Sequence, residues 1–227
     1  MAQDYSIIIG TVGQGLGVSS DAGETWTKIR QPIPSEATVR ALGVYPDNPH
    51  KILAGSDVGI FRSEDNGTTW EKLDSPFDDL QIWSVALDPT NTETIFAGTR
   101  PESYRSRDGG KTWTKQQADT DKMIMAVTFV DQLHGWACGD ESTWMWTDNG
   151  GESWNVERMD VSQIGLTNNT SLAVPDIIYY SVQFLDKNTG WMVGEYGNIR
   201  STKDGGKTWD AQHASLLDHR NMFAHHP

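Results

Sequence analysis

The chain has one cysteine in 227 residues, Cys138, so no disulfide can form within it and the sequence does not report a redox compartment. It has no apolar run of membrane-spanning length. Positive charge is scarce. With 18 Lys+Arg against 31 Asp+Glu, the formal net charge is −13 and the isoelectric point is near 4.7. Such a field repels nucleic acid and anionic membranes, and leaves proteins or small polar ligands as expected partners. There is no phosphate-cradling glycine loop, no Cys or His cluster with metal spacing and no Gly-x-Ser-x-Gly elbow, so no metal or cofactor is expected. His225 and His226 are adjacent on an expected strand and would point to opposite faces, a poor arrangement for metal ligands. Met1-Ala-Gln-Asp runs into Tyr5–Ile9 without a basic segment, so a soluble, cytoplasmic monomer is expected.

What the chain has in quantity is glycine, 22 residues, and tryptophan, 10 residues, and a repeat organises both. Ser106-Arg-Asp-Gly-Gly-Lys-Thr-Trp113 returns with small changes at 19–26, 63–70, 147–154 and 202–209. In the pattern Ser-x-Asp-x-Gly-x-Thr-Trp the aspartate bonds backbone amides ahead of it, the glycine takes positive φ, and Thr-Trp restarts a strand. Each copy is therefore a hairpin turn, with the tryptophan filling the wedge between sheets and its indole N–H seeking a partner there. The one serious departure is Asn149 in place of Asp, which bears on that turn and not on the fold. On these five octapeptides the chain resembles the Asp-box (bacterial neuraminidase repeat) β-propellers. The resemblance implies that the box is a fold element away from any active site.

The closing tryptophans stand 44, 43, 41 and 55 residues apart, a blade-like period with about 12 extra residues in the last gap. The expected fold is all-β: a single domain over residues 1–227, a five-bladed β-propeller with four antiparallel strands per blade. In the second unit the strands read Val39–Tyr45, Lys51–Gly55, Gly59–Ser63 and Thr69–Leu73. Cys138 takes the place of Ala54, Ala97 and Val193, so it reads as a small buried hydrophobe. The first unit starts at its second strand, Ser6–Gly10, and the missing innermost strand is expected from Arg220–Pro227, which aligns with Ile82–Pro89. At a finer level, Gly135-Trp-Ala-Cys-Gly139 and Gly190-Trp-Met-Val-Gly194, each followed by a box, are similar to the photosystem II stability and assembly factors over roughly residues 123 to 212. That resemblance implies a binding or assembly role.

In this fold the boxes lie on one face, and the remaining loops crowd the mouth of the central tunnel on the other, where ligand sites favour concavity. Arg40, Trp83, Met125 and Tyr180 share one alignment column at the starts of the innermost strands. With Arg100, Tyr196, His219 and Arg220 they form the expected ligand-binding rim, polar, aromatic and two-signed. The expected function is binding of a protein partner or small polar ligand there. The alternative is a glycosidase-like hydrolase or lyase, with Asp57, Glu141 and Glu195 dividing into acid and base or nucleophile. Glu195 beside Tyr196 resembles the sialidase pair, but the chain has no Arg-Ile-Pro segment and no set of three ligand-binding arginines. The long connection from Asp160 to Asp176 holds the 12-residue insertion and reads as a lid or partner-docking loop.

Overall fold

The computed structural model describes residues 5–100, 102–159 and 177–212. Among them it forms five antiparallel sheets, four of four strands and the first of three. The first sheet is β1 (Ile7–Gly10), β2 (Leu16–Ser19) and β3 (Thr27–Ile29). The second is β4 (Val39–Tyr45), β5 (Asn48–Ser56), β6 (Gly59–Ser63) and β7 (Glu71–Leu73). The third is β8 (Ser84–Leu87), β9 (Ile95–Gly98), β10 (Ser103–Ser106) and β11 (Thr114–Gln116). The fourth is β12 (Ile124–Phe129), β13 (Gly135–Gly139), β14 (Thr143–Thr147) and β15 (Asn155–Arg158). The fifth is β16 (Tyr179–Phe184), β17 (Gly190–Gly194), β18 (Ile199–Thr202) and β19 (Asp210–Ala211). Each sheet runs in sequence order from inside to outside, and β4, β8, β12 and β16 pack against one another in succession. The expected closing strand Arg220–Pro227 and the 160–176 insertion lie outside the described residues.

The five octapeptides are tight turns between the last two strands of each sheet. In the second, Ser63 Oγ donates to Asp65 Oδ1 at 2.9 Å and accepts from Gly67 N at 2.8 Å. Asp65 then accepts from Thr69 N at 2.8 Å and from Thr69 Oγ1 at 2.7 Å, so one carboxylate closes the turn from both sides. The fourth turn is equally complete. Asn149 Oδ1 accepts from Ser153 N at 3.1 Å while Asn149 Nδ2 donates to Ser153 Oγ at 2.9 Å, reversing the direction of the hydroxyl bond. The amide therefore serves where the carboxylate does, and only the charge is lost.

The tryptophans correct one expectation. Trp70 Nε1 donates to Gly67 O at 2.8 Å, inside its own turn, and not to a neighbouring sheet. The turn consumes Thr-Trp, so the fourth strand of the second sheet starts at Glu71 and not at Thr69. Their burial also differs: Trp70 is 8% exposed and Trp26 45%.

Apolar clusters fill the seams between successive sheets. Phe129 stacks on Phe96 at 4.0 Å and Phe184 on Trp136 at 3.7 Å, each joining one sheet's innermost strand to the second strand of the sheet before it. Cys138 is fully buried, and its Sγ contacts Tyr179 O at 3.4 Å. Desolvation pushes its thiol above the ordinary range, as a small core residue requires.

Candidate functional site

The mouth of the sheet stack is built by a repeated irregularity. Pairing of β4 with β5 runs Val39 to Ser56, then Ala41 to Gly55, skipping Arg40. The same skip omits Met125 between β12 and β13, and Tyr180 between β16 and β17. In the third sheet Trp83 N donates to Gly98 O at 2.8 Å, and Ser84 opposes that same Gly98. The three skips are β-bulges, which leave one residue out of the ladder and re-aim its side chain, and Trp83 stands at the matching place just ahead of β8. In the fourth and fifth sheets the glycine ending the second strand makes room for this start. A Cβ on Gly194 would lie 2.6 Å from Ile178 O, and one on Gly139 would collide with Met123 O.

Arg40, Trp83, Met125 and Tyr180 thus hold equivalent positions in four sheets. Arg40 and Tyr180 are exposed, Trp83 and Met125 half-buried. The guanidinium carbon of Arg40 sits 4.5 Å from the Trp83 ring centroid, joining the second and third sheets. This stack fixes a planar cation beside an aromatic face, a surface suited to carboxylates and to flat polar groups.

The three acid candidates separate by role. Asp57 Oδ1 accepts from Thr38 N at 2.9 Å, while Asp57 N donates to Thr38 O at 3.1 Å. Glu195 repeats the arrangement, accepting from Ile178 N at 3.1 Å and donating its N–H to Ile178 O at 3.0 Å. Its other oxygen accepts from Tyr180 Oη at 3.3 Å. Both carboxylates therefore clamp the backbone just ahead of an innermost strand. Glu141 does not: it pairs with Lys122 at 2.9 Å and Arg158 at 3.5 Å. It also sits at φ 51°, followed by Ser142 at φ 60°, in a turn without glycine.

Arg100 is exposed after β9, and contributes with Lys122, the larger cause, to holding the Asp121 carboxyl below its usual range. Tyr196 lies in the short 3-10 turn Glu195–Gly197. His219 and Arg220 fall outside the described residues. Among the described residues no three His, Cys, Asp or Glu side chains are grouped to hold a metal ion, and no helix is long and apolar enough to cross a membrane.

One residue escaped the sequence reading. Ser142 N donates to Ile177 O at 2.7 Å, Ser142 Oγ accepts from Ile177 N at 3.0 Å, and Ser142 O accepts from Met159 N at 2.9 Å. The two ends of the long connection are therefore tied to one buried serine. Asp-Glu-Ser-Thr carries no glycine or proline to announce a left-handed turn, so only its position after the Gly139 strand end could have drawn notice.

Residues 58–189, more than half of the chain, match the model of the Sortilin-Vps10 family (sortilin, neurotensin receptor 3). The chain belongs to the Sortilin-Vps10 family. No curated protein matches it. Among solved structures it is similar to an ancestral GH74 enzyme, with TM-score 0.69 and 18% identity over 93% of this chain and 30% of that one. The GH74 xyloglucanase of Xanthomonas campestris gives TM-score 0.64 and 17% identity over 94% of this chain and 38% of its own. YCF48 from Cyanidioschyzon merolae gives 0.56 and 20% over 89% and 66%. The chain thus spans about a third of the length of those GH74 enzymes. At such identities these likenesses carry the fold alone, and with the successive sheets they place the chain among the β-propellers.

Proposed function

We propose that this Sortilin-Vps10 family chain is a binding or assembly propeller that engages a protein partner or a small polar ligand at the face opposite the octapeptide turns. The observation that carries the reading is the row of matched strand starts: three innermost strands put one residue out of the ladder and Trp83 stands just ahead of the first paired residue of β8, giving Arg40, Trp83, Met125 and Tyr180 one level. Regular pairing would have held these residues in the ladder, and bulges recur beside binding sites. A likeness to both a xyloglucanase and YCF48 fits either class, so the choice rests on the carboxylates. Asp57 and Glu195 each commit an oxygen to a backbone amide, which favours a structural role over acid–base exchange.

The test is a photo-crosslinking amino acid at Met125, with the same label at Leu133, an exposed residue of the turn after β12, on the opposite face, as control. Capture through position 125, lost in Trp83→Ala and Tyr180→Ala with the melting temperature kept within a few degrees, supports the site. Capture through position 133 alone refutes it. The hydrolase reading keeps one foothold, the strained backbone at Glu141. A polysaccharide-cleaving activity that disappears in Glu141→Gln and survives in Asp57→Asn would establish it.

We further propose that the octapeptides are Asp boxes and that Arg220–Pro227 completes the first blade and closes the ring. Support comes from the exposure of apolar residues near β1. Leu42 and Val44 of β4 are 38% and 57% exposed, and with Tyr5, Ile8 and Ile52 they line a groove of about 440 Å³. The equivalents of Val44 in the fourth and fifth sheets, Phe129 and Phe184, are 7% and 3% exposed. Trp154 and Trp209 are met edge-on by those phenylalanines, at 5.9 and 6.0 Å, whereas Trp26 has no such aromatic partner among the described residues.

A further inference from the structure

Three seams between successive blades can be compared, and the third is built differently. In the first, β3 ends in the buried Ile29 and the connection to β4 inserts Ile33, 0% exposed. In the second, β7 ends in Leu73 and the connection to β8 inserts Phe77, 1% exposed, against Tyr104 at 4.5 Å and Trp113 at 4.9 Å. Each seam is thus plugged by a large apolar side chain from the loop above it. In the third, β11 ends in Gln116, the connection is shorter, and of its two apolar residues, Ala118 and Met123, only Ala118 lines the seam. An alanine cannot fill the place of a phenylalanine.

What remains is a cavity of about 20 Å³ lined by Phe96, Tyr104, Val127, Met145 and Trp154. It adjoins an open groove of about 650 Å³, and Ser103, Gln116, Ala118, Ile124 and Trp154 wall both. Gln116 is 8% exposed, its Nε2 donates to Thr114 O at 3.2 Å, and its Oε1 accepts no hydrogen bond. A buried acceptor left open in this way is costly unless something donates to it. Of the four carboxylates lining the groove, Glu102 pairs with Lys115, Asp121 with Lys122 and Glu152 with Arg105 and Arg107, while Asp119 has no ion pair among the described residues.

We propose that the seam between the third and fourth blades is a docking site for a partner's peptide segment that presents one donor-bearing aromatic side chain, such as tyrosine, between basic residues. The chain's own plugs supply the template. The ring takes over the Phe77 role, lying in the groove over Ala118 and Trp154, and its polar tip reaches the cavity and donates to Gln116 Oε1. The cavity has room for a hydroxyl-sized tip and not for a whole ring, which selects a side chain with its donor at the end. Asp119 at the groove, in a chain of net charge −13, favours flanking lysines or arginines. This site is separate from the bulged row at the tunnel mouth, so either can fail without the other.

The test measures fluorescence anisotropy of labelled Lys-Gly-Tyr-Gly-Lys with the intact chain, beside the same peptide with alanine for tyrosine or with glutamates for lysines. The tyrosine peptide should bind at least tenfold more tightly than either. Ala118→Phe, which supplies the missing plug, and Gln116→Leu, which restores the residue of the second seam, should each remove that preference. Melting temperature reports whether each variant folds, and if Ala118→Phe does not, Gln116→Leu decides. Equal binding of the three peptides, or a tyrosine preference untouched by Gln116→Leu in the folded protein, would overturn the proposal.

Discussion

Replacing Trp26 by alanine tests whether the ring is closed, because the same octapeptide places Trp70 in a covered seam. The two side chains differ in exposure, 45% against 8%. Over a tryptophan of about 250 Å² the difference is about 90 Å², or about 2 kcal/mol at about 25 cal/mol per Å². Comparing two identical substitutions makes this figure firmer than either absolute cost. Trp70→Ala should cost about 3–5 kcal/mol as a buried large-to-small change. If residues 220–227 complete the first blade and bring the fifth against it, Trp26→Ala in the full chain should cost within about 1 kcal/mol of that. In a chain ending at Gln212 the cost should drop by about 2 kcal/mol while that of Trp70→Ala stays the same. Urea unfolding of the four proteins and their two parents, read at the midpoint, provides the comparison. A Trp26→Ala cost that is small in the full chain and unchanged by truncation would refute closure by the C-terminal segment.

The octapeptide carboxylates should make stability acid-sensitive in a narrow window. Hydrogen bonds from Thr25 and Thr112, the largest causes, draw Asp21 and Asp108 from 3.8 down to about 2, so their contribution is complete above the unfolded value and lost as pH falls from about 4 to about 2. Asn149→Asp adds a fifth such turn and should steepen the fall of melting temperature between pH 5 and 2, and an unchanged slope would contradict the assignment. Ser142→Ala removes the acceptor for the buried Ile177 N–H and should cost about 1–3 kcal/mol by chemical denaturation, with faster proteolysis between Met159 and Ile177; no change in either would show the tie to be idle. Gly139→Ala should destabilise by several kcal/mol or prevent folding, because its Cβ would strike Met123 O; a thermal melt matching the parent would show that the bulge does not need the glycine.

The parts of the fold legible in the sequence were those carried by local chemistry. The strands Val39–Tyr45 and Gly59–Ser63 were read to the residue, the first by its alternating burial and the second as a short apolar run held between two turns. The fourth strand was read two residues too long, because Thr-Trp belongs to the turn: the Thr69 hydroxyl and the Trp70 indole both bond back into it. Asn149 was the expected departure, but an amide can donate where the carboxylate only accepts, and the serine hydroxyl rotates to suit. The column of Arg40, Trp83, Met125 and Tyr180 was visible as an alignment, but not the bulges that produce it, since omitting one residue from a ladder leaves no mark in composition. The clamping by Asp57 and Glu195 was likewise hidden, because a carboxylate after a glycine looks the same whether it meets solvent or a backbone amide. The defect in the third seam required Ile33, Phe77 and Ala118 to be seen in space, as connections of unequal length do not align.

The central claim, that the bulged starts of the innermost strands form the binding face, is tested most directly by amide and indole NMR of the isotopically labelled chain titrated with a fragment library of small polar and aromatic compounds. The account predicts that shifted resonances cluster at Arg40, the Trp83 indole, Met125 and Tyr180, with the octapeptide turns at Asp65 and Asp108 unmoved. Shifts gathered at the octapeptide turns, with the bulged row silent, would contradict it.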